Sequence, residues 1–167
     1  RDGGRTWFEE YRDEALPDPS CMAALIRYSR AADGRGRLLF ANPAHPHDRT
    51  HLTVRISYDD GRTWPEARVI CDGHAAYASL AALADGTIGL LYETGDDHPY
   101  ERIRFARFSL EWLTEGRDRI RPVSLPLELP LVWEFRTDAP DAGALREWIR
   151  GVGPGQPIRV DAPWTSQ

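Results

Sequence analysis

Three residues combine a reactive or charged side chain with a setting that could use it: Arg49, Tyr77 and Glu93. Arg49 follows Asn42-Pro43, and its guanidinium offers a rigid two-pronged donor suited to carboxylates. Tyr77 lies in Ala76-Tyr77-Ala78-Ser79-Leu80. A free phenol has a pKa of about 10, so it becomes a nucleophile only when a neighbouring base takes its proton. Glu93 closes the apolar run Leu90-Leu91-Tyr92-Glu93, where a buried carboxylate needs a partner. Each also has an ordinary reading: Tyr77 as a strand aromatic, Arg49 as a solvated loop cation, Glu93 as a strand-end acid in water. All 21 basic residues are Arg, which excludes Schiff-base and lysine-nucleophile chemistry from these residues. His45, His47, His51, His74 and His98 show no metal-ligand spacing; His45 and His47 flank Pro46 near Arg49 and read as solvent-exposed. Cys21 and Cys71 sit in apolar stretches and read as buried thiols, not as a disulfide framework or a zinc site.

The elements that must position these residues repeat along the chain. Asp33-Gly34 and Asp85-Gly86 lie 52 positions apart; so do Leu38-Leu39-Phe40 and Leu90-Leu91-Tyr92, and Arg55-Ile56-Ser57 and Arg107-Phe108-Ser109. The unit reads as four short strands, at 23–29, 37–42, 52–57 and 68–71, with a hairpin turn at Asp33-Gly34. The second copy puts strands at 77–83, 87–93 and 103–109. Four-strand units repeating every ~40–50 residues mark a β-propeller, and about two blades fit here. Length, 14 Gly and 13 Pro agree with one turn-rich all-β domain and exclude collagen, coiled coil and wholesale disorder. The net charge of −5 argues against a binder of nucleic acid held by phosphate contacts. Apolar runs fall short of the ~20 residues a membrane helix needs, so no membrane segment is expected.

Ser57-Tyr58-Asp59-Asp60-Gly61-Arg62-Thr63-Trp64 matches S-x-D-x-G-x-T-W, the Asp box, a hairpin corner with a structural role. Asp2-Gly3-Gly4-Arg5-Thr6-Trp7 reads as the same motif without its Ser, and Ser109-Leu110-Glu111-Trp112 as a decayed copy. Asp boxes occur in sialidases, in other glycosidases and in non-catalytic sorting receptors. Cys21 to Tyr28, Asn42-Pro43, Arg49 to Ser57, Ala76 to Leu80 and Asp85 to Glu93, in this order, resemble the exo-α-sialidases over roughly residues 1–112. The resemblance implies a partial six-bladed β-propeller and hydrolysis of terminal α-linked sialic acids from sialylated glycans. It implies that Tyr77 is the nucleophile, although Ala78 departs from the usual Ser. Arg49 then matches one arm of an arginine triad that binds the substrate carboxylate, and Glu93 the acid that orients another triad arginine. A Tyr nucleophile suits a sugar whose carboxylate sits on the anomeric carbon, because an anionic nucleophile would be repelled. The family's acid/base Asp, the Glu that activates Tyr and two further arginines match nothing in residues 1–167. No cofactor or metal is implied, and export to the cell surface or beyond is implied through the substrate alone.

Beyond Trp112 the pattern changes. Residues 1–115 read as the propeller part, 116–130 as a linker in which Leu alternates with Pro and Glu, and 131–167 as the start of another domain. Strands are expected at 132–138 and 157–160, with a short helical or loop segment over 144–149. Trp133-Glu134-Phe135-Arg136-Thr137-Asp138 with Pro163-Trp164 resembles the opening of galactose-binding-like β-sandwiches. The chain reads as a segment of a longer protein, inactive by itself for want of the groups named above. Two other readings stay open: a non-catalytic Asp-box propeller that binds glycans or peptides, and a glycosidase acting on neutral sugars through paired carboxylates. Oligomeric state is not legible.

Overall fold

The computed structural model describes residues 5–6, 12–30, 32, 34–83, 85–120, 131–137 and 160–162. Among them, strands run in chain order through one sheet: β1 (Ala24–Ser29), β2 (Arg37–Pro43), β3 (Thr50–Ser57), β4 (Glu66–Ala82), β5 (Ile88–Gly95), β6 (Arg102–Phe108), β7 (Leu131–Thr137) and β8 (Val160–Ala162). Neighbours pair antiparallel except β7 and β8, which are parallel. A single helical turn, α1 (Leu110–Leu113), follows β6. The strands expected at 23–29, 37–42, 52–57, 87–93 and 103–109 are β1, β2, β3, β5 and β6.

Alternation explains these elements. Leu39 and Ala41 on β2, Leu52, Val54 and Ile56 on β3, Ile88, Leu90 and Tyr92 on β5, and Ala106 and Phe108 on β6 are all buried in one cluster. Burying a large apolar side chain contributes roughly 1.5–3 kcal/mol, so this shared face fixes the register of the whole meander.

The strands expected at 68–71 and 77–83 are one. β4 is continuous over 17 residues, pairing with β3 from Glu66 to His74 and with β5 from His74 to Ala82. Asp72-Gly73 looks like a turn in sequence, yet it sits in a bulge opposite His51, which takes a left-handed φ of 57°. An extra residue in one strand bends it without ending the pairing. β4 also lies against β1 and β2, with which it does not pair, so the sheet curls around its core. β1, β2, β3 and the first half of β4 make one four-strand unit; the second half of β4, β5, β6 and β7 make the next. β7, which the sequence puts at the opening of a separate domain, pairs along β6 from Ile103↔Phe135 to Arg107↔Leu131. β8 spans Val160–Ala162, overlapping the strand expected at 157–160 in one residue. The linker from 121 to 130, the segment at 144–149 and the turn at Asp2 lie outside the described residues.

The turn from Ser57 to Trp64 is closed by its own side chains. Asp59 Oδ1 accepts the N–H groups of Arg62 and Thr63 at 3.1 and 2.9 Å, and Oδ2 accepts the Thr63 hydroxyl at 2.7 Å. These bonds from Thr63, then from Ser57 and Arg62, hold the Asp59 carboxyl at about 2. Gly61 supplies φ of 89°, and Trp64 packs on Phe40 with ring centroids 5.6 Å apart. The copy at Ser109 folds differently. Glu111 stands where Asp would be, and the Ser109 hydroxyl accepts the Trp112 N–H at 3.0 Å as the N-cap of α1.

A buried ion pair ties β2 to the segment after α1. Arg37 Nε and Nη2 donate to the two Asp118 oxygens at 2.7 and 2.6 Å, with both residues about 6% exposed. Burial works to raise the Asp118 pKa, but the bonds from Arg37 and Tyr58 and the charges of Arg37 and Arg35 outweigh it and hold the carboxyl below its ordinary value. Burial and the same carboxylate push the Tyr58 phenol up to about 12.

Arg37→Ala takes both short bonds from the buried Asp118 carboxylate, leaving it Tyr58 and the more distant Arg35, and should cost about 1–3 kcal/mol in urea unfolding. Because the native pKa lies below the unfolded one, the contribution of the pair is complete above about pH 4 and is lost as pH falls through the depressed value. The wild-type chain should therefore lose more stability between neutral pH and pH 3 than the variant. Parallel profiles would show that the pair is not ionised in the fold.

Candidate active site

Arg49 ends the loop between β2 and β3, and that loop is shaped by histidine. His45 Nδ1 accepts the N–H groups of His47 and Asp48 at 3.3 and 2.8 Å, while the His45 ring stacks near His51 at 6.2 Å. His47 is exposed as expected; His45 is half-buried and serves the turn. The Arg49 carbonyl accepts the Ala75 N–H at 2.8 Å, which fastens the loop to the middle of β4. Its guanidinium carbon lies 5.3 Å from the centre of the Tyr77 ring.

Tyr77 owes its position to a second bulge in β4. Ala75 pairs with Thr94 and Ala78 with Tyr92, so Ala76 and Tyr77 together face one residue, Glu93. The Tyr77 N–H, taken out of the ladder, donates to Glu93 Oε2 at 3.2 Å. Bulges re-aim side chains next to functional sites, and here Tyr77 is 42% exposed. Arg49, Tyr77 and Glu93, three residues spread over 45 positions of sequence, thus meet at one end of the sheet. Glu93 reaches the backbone of Tyr77; the arginine it was expected to orient is not among the matched positions.

A fourth residue was missed. The Tyr100 hydroxyl accepts from Arg49 Nη1, and its ring centre lies 5.7 Å from the guanidinium carbon. Arg49 therefore stands between two tyrosines, with Nη2 directed to the Ser20 carbonyl at 3.4 Å. The β5–β6 loop that carries Tyr100 is built around Glu101, whose carboxylate accepts the N–H groups of Asp96, Asp97 and His98 at 2.8, 3.0 and 3.1 Å. Those bonds, Asp96 first, hold Glu101 at about 2. The signal was present in the repeat: the 52-residue offset carries Arg49 onto Glu101, so the two loops are equivalent and Tyr100 is adjacent.

Polar side chains floor the site. Asn42 Nδ2 donates to the Pro17 carbonyl and to Asp18 Oδ2 at 2.8 and 3.0 Å, and Arg55 Nη1 donates to Asn42 Oδ1 at 3.0 Å. Asp18 Oδ1 accepts the Cys21 N–H at 2.8 Å. Burial pushes the Cys21 thiol up, against the pull of Arg49, so it remains protonated and unreactive at neutral pH. Arg107, the repeat partner of Arg55, instead donates from Nε to the Thr87 hydroxyl at 2.8 Å and pairs with Asp85, so the shared position serves two different tethers. An open pocket of about 530 Å³ adjoins through Ser20, with Asp13, Asp18, Pro46 and His47 in its wall. No cluster of three metal-ligating side chains occurs among the described residues.

No protein-family model matches the chain. It is 44% identical over 116 residues to a sialidase of Micromonospora viridifaciens, which covers 67% of this chain and 17% of that protein. To a sialidase of Bacteroides fragilis it is 39% identical over 105 residues, 59% of this chain and 19% of that one. A solved structure of a leech intramolecular trans-sialidase complexed with 2,7-anhydro-Neu5Ac matches with a TM-score of 0.59 at 26% identity, over 68% of this chain and 20% of that one. The chain thus spans under a fifth of the length of these two curated relatives (17% and 19%).

The loop that carries Tyr100 has a checkable weak point. A Cβ on Gly95 would lie 1.9 Å from the His98 carbonyl oxygen and 2.7 Å from the Glu101 carboxyl carbon. Gly95→Ala should displace the loop, at a cost of roughly 1–3 kcal/mol, and remove Tyr100 from Arg49. A crystal structure of the variant with the Arg49–Tyr100 bond unchanged would contradict this.

Proposed function

We propose that this chain, a homologue of the sialidases, forms part of the catalytic propeller of an exo-α-sialidase that removes terminal α-linked sialic acids from sialylated glycans. The observation that carries the reading is the guanidinium of Arg49 beside the exposed ring of Tyr77. A neutral sugar asks for neither group; a sugar with a carboxylate at its reacting carbon asks for both.

In this reading Arg49 binds the substrate carboxylate through paired charge-assisted bonds and holds the anomeric carbon in reach of Tyr77 Oη. Tyr77 Oη forms a bond to that carbon as the glycosidic C–O bond breaks. The phenolic proton passes to a base and the leaving oxygen takes a proton from an acid. Water then displaces Tyr77, releasing sialic acid and restoring the phenol. Glu93 acts on the geometry of Tyr77, because its carboxylate caps the N–H that the bulge exposes. In this reading the acid, the base and further cationic arms, which match nothing in residues 1–167, come from elsewhere, so the 167 residues alone should be inactive.

In the full-length enzyme, Tyr77→Phe should remove turnover of a fluorogenic sialoside by at least about a hundredfold while sialic acid still binds, because the nucleophile goes and the clamp stays. Arg49→Ala should weaken binding and rate together, by about tenfold or more, for the loss of a charge-assisted pair. Wild-type kinetics in Tyr77→Phe would remove the nucleophile from this reading.

A further inference from the structure

We propose that Tyr100 is a positioning residue for the anion-binding arginine: its hydroxyl fixes the direction of Arg49 without neutralising it. This rests on the reading of Arg49 given above and adds a residue to it. Among the described residues no carboxylate forms an ion pair with Arg49, whereas Arg27, Arg35, Arg37, Arg102, Arg107, Arg117 and Arg119 each have one. Among the described residues the oxygens that meet Arg49 are neutral: the Tyr100 phenol on Nη1, the Ser20 carbonyl on Nη2 and, more weakly, the Tyr77 phenol. A neutral acceptor orders a long side chain and leaves its charge for an incoming anion; a carboxylate in the same place would compete with that anion.

Two further features support the assignment. Tyr100 is 49% exposed, so packing into a core does not account for where it sits. Its loop is nevertheless built to hold it: Glu101 binds three loop amides, Arg102 pairs with Asp96 and Glu101, and the Tyr100 N–H donates to His98 Nδ1 at 3.1 Å. An exposed aromatic on a tightly bonded loop, its hydroxyl on a cation that pairs with no carboxylate among the described residues, is placed for the cation.

The test is a double-mutant cycle in the full-length enzyme with Tyr100→Phe, Arg49→Ala and both together. Each is read as KM and kcat on a fluorogenic sialoside, as Kd for N-acetylneuraminic acid, and as melting temperature. Tyr100→Phe keeps the ring and should raise KM and Kd about three- to tenfold, with kcat within twofold and melting unchanged. In the Arg49→Ala background the same change should have no effect on Kd, because the hydroxyl then has nothing to orient. Wild-type KM in Tyr100→Phe, or an equal loss of affinity in both backgrounds, would overturn the role of Tyr100 while the Arg49 reading stands. An Arg49→Ala enzyme with wild-type KM and Kd would sink the clamp itself, and Tyr100 with it.

Discussion

One backbone N–H governs the arrangement of this molecule's candidate site. A ladder of regular β-pairing through Ala75 and Ala78 would bond Tyr77 into the sheet; two residues opposite one leave its amide without a strand partner, and Glu93 takes it. That bond to a carboxylate is charge-assisted, so the bulge that frees the amide and the acid opposite it act together. Two residues earlier, the Ala75 amide holds the carbonyl of Arg49. The backbones of nucleophile candidate and cation are thereby fastened to the same three positions of one strand, and the guanidinium is directed from there by Tyr100 and Ser20.

The same cation chemistry is used in opposite ways at the two ends of the fold. Arg37 is buried and fully compensated by Asp118, an arrangement whose merit is to lock β2 against the segment beyond α1. Arg49 is half-exposed and meets neutral oxygens. A guanidinium does not lose its proton in either place, so what differs is only how much of its field is already spent. With 21 Arg and no Lys, that difference in partners is the means by which one chain makes both a closed ion pair and a guanidinium that meets neutral oxygens.

Much of this was legible in the sequence. Alternation found β1, β2, β3, β5 and β6, because each buries one face in a common core. Arg49, Tyr77 and Glu93 stand out by residue type and setting, and the fold brings them together. The continuity of β4 was not legible, since Asp72-Gly73 has the composition of a turn and only its partner His51 shows it to be a bulge. The Arg37–Asp118 pair joins residues from a strand and from a segment without periodicity, so no local pattern announces it. Tyr100 lies beside a repeat position whose residue type changes from Arg to Glu, so the equivalence of the two loops leaves no matching residue in the sequence. The partner of β7 was hidden for a similar reason, since the repeat offset points to residues well before 131.

The loop closed by Glu101 has a consequence for how such a site can change over generations. Its three amides are satisfied from within, by a side chain of the loop itself, and its tip makes no strand bonds. Replacing the tip therefore leaves the sheet's pairing intact, provided Gly95 and Glu101 remain as its two feet. A surface patch beside the Arg49–Tyr77 pair is in this way detached from the demands of folding. Side chains at the tip can change there while the frame that carries Tyr77 stays as it was.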